Sequence, residues 1–139
     1  MKTILVAYDG SEAAGRALSR TSDLALAFDS RVLVVTVEPI QALAAASGAG
    51  GVPPVAELED WAVGLLEEAR QRLEARGVEA DFLARVGDPA AAIVELAESH
   101  GADLVVTGTN EPGFFERLLA GSVSEAVSRR APCDVLIVH

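Results

Sequence analysis

The residues predict an α/β fold: a doubly wound, mostly parallel five-stranded sheet with helices on both faces, Rossmann-like in its winding. Three observations predict it. Several apolar runs are too continuous for strands with one wet face, helical periodicity fills the intervals between them, and the joints carry turn and capping residues. Right-handed crossovers between parallel strands then distribute the helices over both faces. In such a sheet a ligand binds beyond the carboxyl ends of the strands, where the winding reverses.

Ile4-Leu5-Val6-Ala7 is an unbroken apolar run closed by Tyr8-Asp9-Gly10-Ser11, the pattern of a strand buried on both faces followed by a tight turn. From Ser11 onward, Ala14, Ala17, Leu18, Thr21, Leu24, Ala25 and Phe28 recur at steps of three and four, which lays them on one helix face. Arg31 to Val37 is the second strand. Between Glu38 and Pro54 the chain turns to Ala and Gly, with Gly48, Gly50 and Gly51 before Pro53-Pro54, a long loop. Leu58, Trp61, Leu65, Ala69 and Leu73 mark a second amphipathic helix, ended by Gly77 as its C′ residue. Glu79 to Val86 alternates, as an edge strand does. Asp88-Pro89 combines an N-cap with a favoured first helical residue, and Ala92, Ile93, Leu96 and Ala97 carry the third helix to Gly101. Leu104 to Thr107 is the fourth strand, Gly108 to Gly121 a loop with a short apolar patch, Ser122 the start of a last helix, and Asp134 to Val138 the fifth strand.

The chain of 139 residues has the size of one domain, and half of its residues are apolar, enough for a sizeable core. Residues 1–139 are therefore read as one unit. Cys133 has no second cysteine to pair with, and its setting before an apolar strand marks a small core residue of a reducing, cytoplasmic protein. The start at Met1-Lys2-Thr3 shows no signal-peptide succession, and no apolar run approaches the ~18 residues of a membrane span. A formal charge of -10, from 21 acidic and 11 basic residues, opposes nucleic acid and anionic membranes as partners. It leaves room for an anionic ligand, since backbone N–H groups bind phosphate locally.

Gly121-Ser122-Val123-Ser124-Glu125 is the most informative stretch, because Ser122 and Glu125 have capping-box spacing. Two readings stand. Ser122 caps a helix, or a glycine without a side chain lets phosphate reach free N–H groups aided by the helix dipole and a hydroxyl. Asp9, at the end of the first strand, likewise reads either as an Asx-turn residue or as a carboxylate that accepts hydrogen bonds from ribose or holds a cation.

The two end segments carry a resemblance. Ile4-Leu5-Val6-Ala7-Tyr8-Asp9-Gly10-Ser11, and Thr107-Gly108 with Arg117 to Val123 and Ala131 to Val138, resemble those of the universal stress protein family, with element order and spacing matching over essentially the whole chain. The resemblance implies a fold of the adenine-nucleotide α-hydrolase-like type and regulatory binding of ATP, with Mg2+, at little or no turnover. It also implies a homodimer joined through the last strand. In the family's nucleotide-binding members a Gly, two residues, Gly, nine residues, Gly, then Ser or Thr form the phosphate site. Gly108, Gly121 and Ser122 stand in those places. By the same resemblance Asp9 meets ribose, the backbone around Val37 meets adenine, and Ser122 with Val123 meets the phosphates.

Glu111 departs from the pattern, holding the place of the second glycine. A carboxylate about 4 Å from a phosphate costs about 4 kcal/mol at an effective dielectric of about 20, and screening removes most of that if the side chain reaches solvent. Pro112 holds Glu111 toward extended geometry, and Gly113 is a substitute if the loop shifts. The alternative function is accordingly a nucleotide-free dimeric interaction protein whose phosphate site Glu111 closes.

Other chemistries find little support. Lys2 is the only lysine, and no phosphate-binding string of Gly, four residues and Gly-Lys-Ser/Thr occurs, so a kinase-like enzyme or anything beyond a slow ATPase is not expected. Gly48 to Gly51 neither follows a strand nor opens a helix, unlike a dinucleotide fingerprint. His100 falls at a helix end and His139 is the last residue; neither has triad partners, and no His/Cys cluster indicates a metal. Trp61 reads as a core residue, and Phe114 and Phe115 as packing under their loop.

Overall fold

The computed structural model describes residues 1–38, 55–109 and 123–139. Their elements follow in the order β1 (Thr3–Ala7), α1 (Glu12–Phe28), β2 (Arg31–Glu38), α2 (Val55–Glu74), β3 (Ala80–Val86), α3 (Pro89–Ser99), β4 (Leu104–Gly108), α4 (Val123–Arg130) and β5 (Asp134–Val138). Among the described residues the strands form one five-stranded sheet, all parallel, in the order β3-β2-β1-β4-β5. The winding runs outward from β1 to β3, then returns to β4 and out to β5. The reversal therefore lies between β1 and β4, whose residues pair from Ile4 with Leu104 to Val6 with Val106.

The continuous apolar runs have a physical origin in this layering. Ile4, Val6, Val32, Val34, Leu104 and Val106 face α1 and α2, meeting Ala17, Leu18, Ala69 and Leu73 in one core. Their neighbours Leu5, Leu33, Val35 and Val105 face the opposite way and pack with Ala90, Ile93, Leu96 and Val127 of α3 and α4 in a second core. Both sides of each central strand are dry, so both alternating sets are apolar. The margin strand β3 pairs only with β2 and keeps Asp81, Arg85 and Val86 exposed, in keeping with its alternating sequence.

Helix ends explain how the chain re-enters the sheet. Ser11 caps α1 by accepting from the Ala14 N–H at 3.1 Å, and Asp88 caps α3 by accepting from the Ala91 N–H at 2.9 Å, with Pro89 first in the helix. The C-termini of α1, α2 and α3 all close with a bond from the residue after a left-handed position back across the last turn: Ser30 to the Ala25 carbonyl, Val78 to Leu73 and Ala102 to Ala97. Gly77 and Gly101 supply that left-handed position as expected, with φ 76° and 62°; after α1 it is Asp29, with φ 53°. The next residue then starts toward a strand.

Two expectations of the helical stripe fail. Phe28 is 55% exposed, because it occupies the last turn of α1, beside the reversal at Asp29. Trp61 is half-buried rather than a core residue. Cys133 is partly buried against the second core, and burial, with Asp134 and Asp103 next, pushes its thiol above the usual range, as befits an unreactive packing residue. The segments 39–54 and 110–122, with Glu111, Pro112, Gly113, Phe114, Phe115, Gly121, Ser122 and the capping box, lie outside the described residues, as does the side chain of Leu58.

Candidate functional site

The carboxyl ends of β1, β2 and β4 open into one cleft at the winding reversal. Asp9 and Ser11 reach it from the turn after β1, Val37 and Glu38 from the end of β2, and Gly108 with Thr109 from the end of β4. Pro89 and Ile93 of α3 and Val123 and Ser124 of α4 close its other wall. Four of the six residues singled out by sequence, Asp9, Val37, Gly108 and Val123, thus come together; Gly121 and Ser122 lie outside the described residues.

Asp9 fulfils its local reading without losing its place in the cleft. One carboxylate oxygen accepts the Ser11 N–H at 2.9 Å, an Asx-turn across Asp9-Gly10-Ser11, while the residue remains exposed at the cleft mouth. Tyr8, 2% exposed, points its ring the other way, into the α1–α2 core, and donates its hydroxyl to Glu68 at 2.5 Å. Glu68 in turn holds Arg72 at 3.2 Å. Burial first, then the bond to Glu68, raises the Tyr8 phenol well above its usual range, so it stays protonated and keeps β1 joined to α2 just beneath the site.

Gly108 is the last residue of β4 rather than the first of a loop. A Cβ on it would stand 2.6 Å from the carbonyl carbon and oxygen of Ala13 and 2.8 Å from the Ala13 side chain. The glycine is therefore demanded by the approach of β4 to the first turn of α1, whatever the cleft holds. That contact sets β4 beside the capped start of α1, between the two carboxyl ends that frame the opening.

Glu38 and Thr107 are site residues that the sequence reading missed. Glu38 follows Val37 at the end of β2, and burial, with the nearby Asp9 charge second, holds its carboxyl above the usual carboxylate range. The cleft thus has an acidic flank formed by two carboxylates. Thr107, 4% exposed, lines the same cleft, and its hydroxyl has no hydrogen-bond partner among the described residues. An unsatisfied buried hydroxyl costs about 1–3 kcal/mol. Position was the available signal for both, since Glu38 ends β2 and Thr107 is the penultimate residue of β4, each next to a residue singled out by sequence. Among the described residues, the lining contains no Lys, Arg or His, and no group of three or more His, Cys, Asp or Glu side chains is arranged to hold a metal ion. No helix among them is long and apolar enough to cross a membrane.

The arrangement suits a ligand with an apolar planar part and donor groups. Ala7, Val35, Val37 and Ile93 supply dry walls, the carboxylates of Asp9 and Glu38 accept hydrogen bonds, and α4 opens toward the opposite side.

The chain is similar to known proteins over essentially its whole length. The model of the universal stress protein family matches residues 1–139. A universal stress protein of Thermus aquaticus is 38% identical over 141 residues, covering 99% of this chain and 98% of that one. A universal stress protein solved in complex with cAMP is 32% identical with a TM-score of 0.73, covering 99% of this chain and 96% of that one. The universal stress protein of Archaeoglobus fulgidus in complex with dAMP is 25% identical with a TM-score of 0.76, covering 100% of this chain and 98% of that one.

Two outcomes follow from the site's packing and charge. Gly108→Ala lowers unfolding stability by about 2–3 kcal/mol in urea denaturation, because its new methyl meets backbone that must shift; an unchanged midpoint would remove the close-approach account. Glu38→Gln is more stable than wild type at pH 7, by up to about 1 kcal/mol given the exposure of the site. The raised folded value means that Glu38 favours the folded state fully only below the ordinary carboxylate range and that this contribution is lost as pH rises through the raised value. The advantage of the variant therefore shrinks as thermal melts move from pH 7 into the acid range.

Proposed function

The chain belongs to the universal stress protein family, and from that premise we propose that it is a regulatory protein that binds an adenine nucleotide, ATP with Mg2+, in the cleft at the winding reversal, with little or no turnover. The observation that carries the reading is the convergence of Asp9, Val37, Gly108 and Val123 on one cleft whose family relatives include proteins solved with cAMP and with dAMP. Asp9 accepts hydrogen bonds from the ribose hydroxyls, keeping one oxygen on Ser11. The backbone at Val37 meets the adenine edge between apolar walls. Phosphates take the far side, where Val123 begins α4 and Gly121 and Ser122 precede it in sequence, since the flank of Asp9 and Glu38 repels them. Mg2+ offsets phosphate charge in a protein of formal charge -10. A lining with carboxylates and no basic side chain among its described residues supports retention of the nucleotide over phosphoryl transfer.

The chain further acts as a homodimer joined through β5. That strand pairs on one side with β4 alone, yet Val135, Leu136 and Ile137 are apolar and only half-buried. A margin of this kind is completed by a second copy. Cys133 and the absence of a membrane-crossing helix among the described residues accord with a cytoplasmic setting.

Titration calorimetry with ATP and Mg2+ tests the nucleotide reading: wild type releases heat with a single site per chain, and Asp9→Ala weakens affinity at least tenfold. No heat from well-folded wild type overturns it, and steady phosphate release abolished by Asp9→Ala would replace it with slow hydrolysis. Sedimentation equilibrium separates a dimer of the 14.4 kDa chain from a monomer, and a monomer at micromolar concentration ends the β5 assignment.

A further inference from the structure

Three buried hydroxyls among the described residues lack a hydrogen-bond partner: Thr21, Thr36 and Thr107. Of these, Thr107 is the one that lines the cleft. It ends the run Leu104-Val105-Val106, and on alternation it shares the face of Val105, toward α3 and α4. Valine has the same shape, the same preference for a strand and no polar atom to strand in the core. Packing therefore gives no reason for a hydroxyl at this position.

A ligand gives one. Ala7, Val35, Val37, Ile93 and Val123 supply apolar wall in the same cleft, where a hydroxyl fixes the orientation of whatever enters; Ser11, Thr109 and Ser124 are the other Ser and Thr residues of the lining. Asp9 and Glu38, when ionised, only accept hydrogen bonds; a hydroxyl also donates. The Tyr8 hydroxyl is committed to Glu68 on the other side of the sheet. Thr107 thus offers a donor to an uncharged acceptor, such as a ring nitrogen, in a cleft that also has apolar walls. Its oxygen is closed to water in the described rotamer. Rotation about χ1 moves that oxygen between staggered wells without a change in side-chain volume.

We infer that Thr107 is a base-recognition residue of the cleft, donating its hydroxyl to a lone-pair nitrogen of a planar heterocycle rather than to a phosphate. The inference rests on the nucleotide reading above and extends it to the residue that selects the base.

Calorimetry on wild type, Thr107→Val and Thr107→Ser, with adenosine and with ATP plus Mg2+ as separate probes, tests it. Thr107→Val loses at least tenfold in affinity, by the same factor for both probes, while Thr107→Ser stays within about threefold of wild type. Thr107→Val also melts at or above the wild-type temperature, a direction opposite to its binding loss that a purely structural role does not produce. Wild-type affinity in Thr107→Val for both probes overturns the inference and leaves the nucleotide reading standing. A loss confined to ATP overturns it in favour of a phosphate contact. Wild type that binds neither probe overturns both. Should Thr107→Val fail to fold, Thr107→Ala is read in its place, and retained affinity there is equally decisive against it.

Discussion

The parallel pairing of β1 with β4 is the constraint from which the site follows. These strands are far apart in sequence, and their register from Ile4 with Leu104 to Val6 with Val106 brings Asp9 and Gly108 to the same end of the sheet. The amino end is fastened as well, since both the Lys2 and Thr3 N–H groups donate to one Asp103 carboxylate oxygen at 2.9 Å. Those bonds hold the Asp103 carboxyl below its usual range, which means that ionised Asp103 is the form that fits the folded chain. With both ends aligned, the start of α1 lies against the end of β4, and only a residue without a side chain fits there. The opening between the two halves of the winding is thus a by-product of how the halves meet.

Much of this was legible in the residues because the signals were redundant. Helix limits were marked twice, by periodicity and by a cap or a reversing glycine, and Ser11, Asp88, Gly77 and Gly101 all stand where those signals put them. The apolar runs named a sheet buried on both faces, and the alternation at β3 named its margin. Convergence of Asp9, Val37, Gly108 and Val123 needed only the strand order.

Less legible were properties that depend on what stands opposite a residue. Phe28 obeys the stripe of α1 yet falls where the chain reverses, so its period did not guarantee a neighbour. Trp61 shows the same limit of periodicity. Thr107 counted as one more strand residue because a hydroxyl without a partner is invisible until the surrounding atoms are placed. Resemblance puts Gly108 in a phosphate-site pattern, whereas Ala13 supplies a sufficient reason for the glycine on its own; one residue type answers to two constraints that a linear reading does not separate.

The two margins of the sheet differ in a way that bears on growth. Along β3, Arg31 and Asp81 form an exposed ion pair at 3.0 Å and Arg85 folds back onto the Ala84 carbonyl at 2.9 Å, whereas β5 presents Val135, Leu136 and Ile137. The β3 rim sets its charges among apolar residues that include the exposed Val86, whereas the β5 rim is apolar through its middle. In the dimer proposed above, copies that meet through β5 bury that rim on both sides and leave the charge-bearing β3 rims outward, so a two-fold pairing of this kind closes on itself instead of extending into a fibre.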